Sequence, residues 1–121
     1  MISYDDFKKV EIRAGKILSA EKVPDTDKLL KLSVDFAEAV PRQIISGIAL
    51  YFPDSAVLVG KTCMFVTNLD PRIIRGFESQ GMILAISTAP VVDPVSGVTT
   101  SPGNFSLLEP NDSIPPGTLA K

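Results

Sequence analysis

A chain of 121 residues with 45% hydrophobic and 21% charged residues has the composition of an ordinary globular domain. It contains no histidine and one cysteine, Cys63. Ser-His-Asp and Cys-His catalysis, an intramolecular disulfide and the common zinc ligand sets are therefore excluded. The formal net charge of −2 excludes a globally basic protein, so a polyanion would have to be bound by a local patch.

The N-terminal sequence MISYDDFKKVEIR is too polar and too charged to be a secretory signal peptide. No apolar run approaches the ~20 residues of a membrane-spanning helix. These two features predict a cytoplasmic protein with no membrane partner. The acidic pairs Asp5/Asp6 and Asp25/Asp27 fall at a predicted helix start and in a predicted turn, where caps and turn formers are expected. We therefore expect no enzymatic activity, no catalytic residue, no cofactor and no metal.

The first third of the chain predicts a short helix followed by two strands. Ser3 is a typical N-cap with two Asp after it, which predicts a helix over about 4–9. The run VEIRAGKILSAEKV predicts a strand, with a bulge or sharp bend at Gly15. PDTDK predicts a turn. LLKLSVDF alternates apolar and polar residues from Leu30 to Phe36, which predicts a half-buried strand.

The remaining elements complete the pattern of a small barrel. RQIISGIAL, KTCMFVTNL and GMILAIS predict strands three to five, and Pro53-Asp54 predicts a short helix ending at Gly60. VVDPVSGVTTSPGNF then predicts a loose hairpin, and FSLLEP a last short strand. Five strands with one helix between the third and fourth predict an all-β OB-fold barrel, a fold that binds oligonucleotides or oligosaccharides. We expect one domain, with an N-terminal helix in 1–10, the barrel in 11–87 and a C-terminal β extension in 88–121.

Three motifs in a fixed order resemble a known family. They are KLLKL, SGIA and NLDPRIIRGFESQGM. Together they resemble the tRNA-binding domain appended to methionyl-tRNA synthetases, which is similar to free-standing tRNA-binding proteins and to cofactors of eukaryotic synthetase complexes. The resemblance covers about residues 4–87 and returns more weakly in LLEPNDSIPPGT. The segment 88–104 is longer than the family pattern implies.

The resemblance implies a non-catalytic module that binds folded tRNA by shape and backbone rather than by sequence. It implies a homodimer, as in the free-standing members, with methionyl-tRNA synthetase as a further partner and no DNA. With six Phe, two Tyr and no Trp, stacking platforms for single strands are scarce, which also favours a folded RNA. Two alternatives stay open: a peptide-binding secretion chaperone of the CsaA-like branch, and a pure dimerisation module.

The segment 68–82 holds the first group of candidate tRNA contacts. Pro71 lacks a ladder donor, so strand four should end near Leu69 and leave a long loop on the ligand face. On this loop, Arg72 and Arg75 are predicted to contact phosphates, because the guanidinium is a planar donor that keeps its charge. The alternative is an ordinary polar loop with two solvated arginines, one of which could pair with Glu78 or Asp70. Neutral donors and acceptors are predicted from Asn68, Ser79 and Gln80.

The second group of candidates lies on the neighbouring strands. Lys28 stands at the mouth of strand two and Lys31 on its polar face, and Arg42 leads strand three. All three are predicted phosphate contacts, with a merely solubilising charge as the alternative. Ser46, beside a glycine, marks either a β-bulge or a point where ligand approaches the backbone. Met82 follows the loop, and the family's S-x-G-M pattern implies that it is partly exposed at the site.

Overall fold

An antiparallel five-stranded sheet is the centre of the computed structural model, which describes residues 1–101 and 103–121. Its strands and the smaller ones around it are β1 (Ile12–Lys22), β2 (Leu30–Asp35), β3 (Arg42–Ser46), β4 (Thr62–Val66), β5 (Arg72–Ile74), β6 (Phe77–Ser79), β7 (Met82–Ile83), β8 (Ala85–Ser87), β9 (Val91–Val92), β10 (Thr99–Ser101) and β11 (Phe105–Leu107). The central sheet has the order β3-β2-β1-β4-β7, and β5-β6, β8-β11 and β9-β10 form three two-stranded ladders. The predicted OB-type barrel is confirmed.

The barrel interior is built from the apolar positions that the alternating pattern of β2 predicted. Leu30, Leu32 and Val34 are fully buried and Phe36 is nearly so. Phe36 meets Phe65 of β4 edge to face, with the ring centres 5.2 Å apart. Cys63 is also fully buried among these residues, and burial raises the pKa of its thiol to about 11.

Close packing leaves no room for a side chain at Gly15. A Cβ at this position would lie 2.5 Å from Cε1 of Phe36 and 2.6 Å from Cγ1 of Val34. The irregularity of β1 comes three residues later, where the register against β2 shifts between Ile17 and Ser19. The prediction of a bulge in this strand is confirmed, but its position at Gly15 was wrong.

The long loop predicted over 68–82 is largely a β-hairpin. Strands β5 and β6 pair antiparallel, with Ile74 opposite Phe77 across a two-residue turn. Arg75 and Gly76 both have positive φ, 53° and 84°, as a type I′ turn requires. This hairpin explains why the chain uses so many residues between β4 and β7.

Two further elements differ from the prediction. The single helix expected between strands three and four is a pair of 3₁₀ helices, Ala49–Tyr51 and Ser55–Leu58, the second capped by the Asp54 carboxylate. The fifth strand is divided into β7, which pairs with β4, and β8, which pairs with β11. Leu84 lies between them and donates its N–H to the Met64 carbonyl.

The chain termini run along the same side of the barrel. Ser3 caps the helix α1 (Tyr4–Phe7) in a capping box with Asp6, as its sequence predicts, although the helix is shorter than expected. The Ala14 N–H donates to the Thr118 carbonyl and the Ala120 N–H donates to the Ile12 carbonyl. The C-terminal segment therefore pairs with the first residues of β1. The described residues include no helix that is long and apolar enough to span a membrane. The predicted hairpin at 91–105 is present as β9 and β10, with Pro102 outside the described residues.

Candidate nucleic-acid interface

The β5–β6 hairpin is fixed against the outer side of β3 and β2. The Gln43 side chain donates to the Glu78 carbonyl at 2.9 Å, which attaches β6 to β3. The Lys31 ammonium of β2 lies 4.9 Å from the centre of the Phe77 ring, a cation–π contact. The hairpin is therefore attached to β2 and β3 by these two contacts.

Both arginines of the hairpin are exposed. Arg72 leads β5, and Arg75 occupies the first position of the turn. Within residues 1–101 and 103–121, neither guanidinium lies within 4.0 Å of a carboxylate. The pairing with Asp70 or Glu78, which the alternative interpretation allowed, is absent from this described part. Two planar cations are thus presented to solvent at one end of the barrel.

Lys31 and Lys28 extend this positive surface along β2. The Lys31 ammonium pairs with the Glu21 carboxylate at 3.0 Å, and its side chain keeps 30% exposure. Lys28 is exposed in the turn before β2. Alternation along β2 places Lys31 on the same outer face as Ser33, beside a shallow groove of about 340 Å³. The Lys31 ammonium therefore contacts both Glu21 and Phe77 and is still partly exposed to solvent.

The Arg42 guanidinium forms its hydrogen bonds within the protein. Its Nε and Nη2 atoms donate to the two carboxylate oxygens of Glu38 at 2.8 and 2.9 Å. Its Nη1 atom donates to the carbonyls of Thr67 at 2.6 Å and Gln80 at 3.1 Å. These bonds join β3 to the segments that follow β4 and β6. They also occupy most of the donors that a phosphate would need.

Three neutral candidates are likewise engaged within the protein. Ser79 is 5% exposed and bonds to β3 through its hydroxyl. The Gln80 carboxamide oxygen accepts the Gln43 N–H at 2.9 Å. The Asn68 side chain accepts from the Glu11 N–H at 2.8 Å and donates to the Lys9 carbonyl at 2.6 Å, which fixes the segment after α1. Polar side chains in this segment close the barrel and hold its N-terminus.

Ser46 and Met82 lie where a ligand could reach them. Ser46 is the last residue of β3 and is half-buried, and the β2–β3 register runs through it without a shift. The bulge considered for this position is therefore absent. The next residue, Gly47, has open space around the position of a Cβ. Met82 leads β7 with 47% exposure, the partial exposure that the sequence pattern implied.

A network of charged side chains lies at the start of β1, the end away from the Lys31–Glu21 pair. Hydrogen bonds from Arg13 Nε and Thr67 Oγ1, both 2.8 Å long, lower the pKa of the Glu11 carboxyl. The guanidinium of Arg42 does the same for Glu38 through its hydrogen bonds. Arg13 also donates to the Gly117 carbonyl at 2.8 Å, and so ties the C-terminal segment to β1. These charged groups are therefore paired with one another within the protein.

Sequence reasoning missed two exposed side chains near this surface. Ile73 faces away from the barrel on the hairpin with 71% exposure, and Tyr51 is 50% exposed in the first 3₁₀ helix. Interpretation of 68–82 as a hairpin would have predicted that Ile73 is exposed. The one signal for such a turn is Gly76 between the apolar residues Ile74 and Phe77. Tyr51 carried no comparable signal, because it lies between the predicted third strand and the helix predicted to start at Pro53-Asp54.

Comparison with known families gives a match over almost the whole chain. The family model described as "Putative tRNA binding domain" matches residues 12–119. The chain belongs to this tRNA-binding domain family. Methionine–tRNA ligase from Methanoregula boonei is 47% identical over 119 residues, which make up 98% of this chain and 15% of the ligase. The chain thus spans about one-seventh of that relative's length.

Two solved structures share the fold along the full chain. The MetRS related protein from Pyrococcus horikoshii is 33% identical with a TM-score of 0.82, and the match covers 100% of this chain and 98% of that one. The CsaA chaperone protein from Picrophilus torridus is 27% identical with a TM-score of 0.79, and the match covers 100% of both chains. Similarity thus extends to both the synthetase-related and the chaperone branches that the motifs left open.

Proposed function

We propose that this chain is a non-catalytic module that binds folded tRNA through its shape and phosphate backbone and assists a methionyl-tRNA synthetase. The observation that carries the proposal is the exposed pair Arg72 and Arg75 on a hairpin fixed to the barrel. Guanidinium groups that have no carboxylate partner in the described chain are free to bind phosphates. Such a role places the chain in the cytoplasm.

The rest of the proposed surface follows from exposure. Lys28 and Met82 are exposed, and Lys31 and Ser46 are half-buried. Arg42, Asn68, Ser79 and Gln80 are left out, since their polar groups bond within the protein. A small set of backbone contacts, with few base contacts, fits recognition of a folded RNA rather than of a sequence. The proposed tRNA surface is Lys28, Lys31, Ser46, Arg72, Arg75 and Met82.

A module of this kind raises the effective concentration of tRNA at a synthetase. If it is covalently joined to the synthetase, or bound to it, the second contact becomes intramolecular and strengthens overall tRNA binding without a new catalytic group. Sequence similarity to methionine–tRNA ligases supports this enzyme as the one assisted. The expected signature is a lower KM for tRNA with an unchanged kcat.

Binding of labelled tRNA with three competitors tests the proposal. We expect unlabelled folded tRNA to displace the label, and an unfolded polypeptide and a single-stranded oligonucleotide to leave it bound. Heat-denatured tRNA, cooled without Mg²⁺, is the matched control, because it has the same sequence and charge without the native shape. Equal affinity for native and denatured tRNA would contradict recognition by shape.

A peptide-binding chaperone is the second candidate. The observation that favours it is the fold shared with the CsaA chaperone proteins of Picrophilus torridus and Bacillus anthracis, at TM-scores of 0.79 and 0.74. This candidate predicts that an unfolded polypeptide binds alone and displaces tRNA. Suppression of aggregation of a denatured protein, measured beside the tRNA assay, separates the two.

We also propose that the chain forms a homodimer. Helix α1 has no buried residue, and its segment exposes the apolar side chains of Ile2, Tyr4, Phe7 and Val10. Tyr4, Phe7 and Val10 line a groove of about 240 Å³ together with Leu119 of the C-terminal segment. Contiguous exposed apolar surface is typical of an interface. Light scattering at micromolar concentration tests the proposal, and a monomer for the native chain would contradict both the dimer and the dimerisation-module alternative.

A further inference from the structure

A stacked aromatic pair lies outside the surface proposed above. The rings of Tyr51 and Phe105 are 4.0 Å apart between centres and 9° from parallel. Phe52 meets the edge of the same Phe105 ring, with the centres 5.8 Å apart. Phe105 is thus fixed between two aromatic neighbours, and it supports one face of the Tyr51 ring.

The other face of Tyr51 is open. The side chain keeps 50% exposure although a parallel ring covers one side of it. It forms part of a groove of about 270 Å³, whose other members include Phe52, Phe105, Lys61 and Glu109. A flat ring held by a second ring, with its outer face toward a groove, is a preorganised surface for another planar group.

The groove is connected to the proposed tRNA surface through the backbone. The N–H of Ala49, which begins the 3₁₀ helix carrying Tyr51, donates to the carbonyl of Lys28 at 3.0 Å. Tyr51 also follows Ser46, at the end of β3, by only five residues. The 3₁₀ helix that carries Tyr51 is thus joined directly to the backbone of Lys28 and follows closely after Ser46.

We propose that the outer face of Tyr51 is a stacking site for one unpaired base of the bound RNA. This inference rests on the proposed function, because the RNA is delivered by the cationic surface. The Lys61 ammonium on the rim, 3.3 Å from Glu109 and 40% exposed, then lies beside the phosphate of the stacked nucleotide. Stacking on an aromatic face tolerates any base, as shape recognition requires.

Replacement of the ring separates base stacking from peptide docking. Tyr51→Leu keeps apolar bulk but removes the planar face, and Tyr51→Phe keeps the face. Loss of stacking costs an affinity factor of about 5 to 150, so we expect tRNA binding to weaken by at least about fivefold in Tyr51→Leu and to be retained in Tyr51→Phe. Tyr51→Phe is the matched control, since it keeps the ring that stacks on Phe105. Tyr51→Leu binding like the native chain would overturn the inference.

A direct reading in a folded chain accompanies the variants. The chain has two tyrosines, so Tyr4→Phe leaves Tyr51 alone, and incorporation of fluorotyrosine gives one ¹⁹F resonance. We expect this resonance to shift upfield as tRNA saturates the protein, because a stacked base adds its ring current. An unmoved resonance at saturation overturns the site while tRNA binding stands. A shift with unfolded polypeptide alone overturns it in favour of a peptide site. Absence of tRNA binding contradicts the proposed function first.

Discussion

The Ser79 hydroxyl accepts a hydrogen bond from the buried Ile45 N–H at 3.0 Å and donates one to the Gly81 carbonyl at 3.1 Å. The bond from Ile45 attaches β6 to β3 where no regular ladder joins them, and the bond to Gly81 orients the hydroxyl. In Ser79→Ala the Ile45 N–H loses its acceptor, and an unsatisfied buried donor costs about 1–3 kcal/mol. We expect the free energy of unfolding to fall by that amount in urea denaturation.

The same variant distinguishes a structural serine from a ligand contact. Ser106→Ala is the matched control, because Ser106 is exposed on β11, and we expect its stability to match the native chain. At a temperature where Ser79→Ala is fully folded, its tRNA affinity should equal that of the native protein. Native stability combined with weakened tRNA binding would return Ser79 to the binding surface.

Removal of either hairpin arginine should weaken tRNA binding without unfolding the chain. Arg72→Gln removes one charge, and Arg75→Asn removes the other while keeping a residue that tolerates the φ of 53°. Each change removes a hydrogen bond to a charged group, so we expect affinity to fall about tenfold. Filter binding measures the affinity, and thermal melting checks the fold.

Lys8→Gln is the control for these charge changes. It removes one exposed positive charge from the C-terminal cap of α1, away from the proposed surface. We expect its tRNA affinity to stay within a factor of two or so, because exposed charges beyond a Debye length are screened. An equal loss in all three variants would indicate a general charge effect instead of a contact surface.

Gly15 and Gly47 should respond oppositely to alanine. A Cβ at Gly15 would meet Phe36 and Val34 within 2.6 Å, and overpacking of a core costs about 1–3 kcal/mol. At Gly47 no atom lies within 4 Å of that position, so alanine should be tolerated. Urea denaturation of both variants tests the comparison. Equal midpoints would contradict the close packing of β1 against Phe36.

Stability should fall with acid through the two paired carboxylates. The pKa values of Glu11 and Glu38 are lowered in the folded chain by hydrogen bonds from Arg13 and Arg42. Groups of this kind stabilise the fold above their unfolded pKa of 4.5, and the stabilisation is lost as the pH falls through the lower folded values. In the double variant Glu11→Gln, Glu38→Gln, the melting temperature should depend less on pH below 4.5. An unchanged slope would show that other carboxylates control acid unfolding.

Sequence periodicity was sufficient to predict the strands of the barrel, but it did not predict the hydrogen bonds that close the barrel. The alternation of Leu30, Leu32 and Val34 predicted both β2 and its buried face, because period-two burial is a local property. Closure depends on Ser79 and Arg42, which bond to backbone groups that lie far away in sequence. A polar residue that will satisfy a distant backbone donor has the same sequence signature as one that will meet a ligand.

The candidate site was partly predictable for the same reason. Exposure of Arg72, Arg75 and Met82 agrees with the pattern, since all three lie at or beside chain reversals. The stacked pair of Tyr51 and Phe105 could not be predicted, because 54 positions separate the two residues and no periodicity relates them. Tertiary contact alone makes Tyr51 a platform.

The most direct test of the central claim is the salt dependence of tRNA affinity in the native chain and in the double variant Arg72→Gln, Arg75→Asn. With about three to five phosphate contacts, the logarithm of the binding constant should fall against the logarithm of salt concentration with a slope of about −2 to −4. Loss of two contacts should make that slope shallower by about 2. A native slope near zero, or the same slope in both proteins, would contradict a phosphate-binding surface on the β5–β6 hairpin.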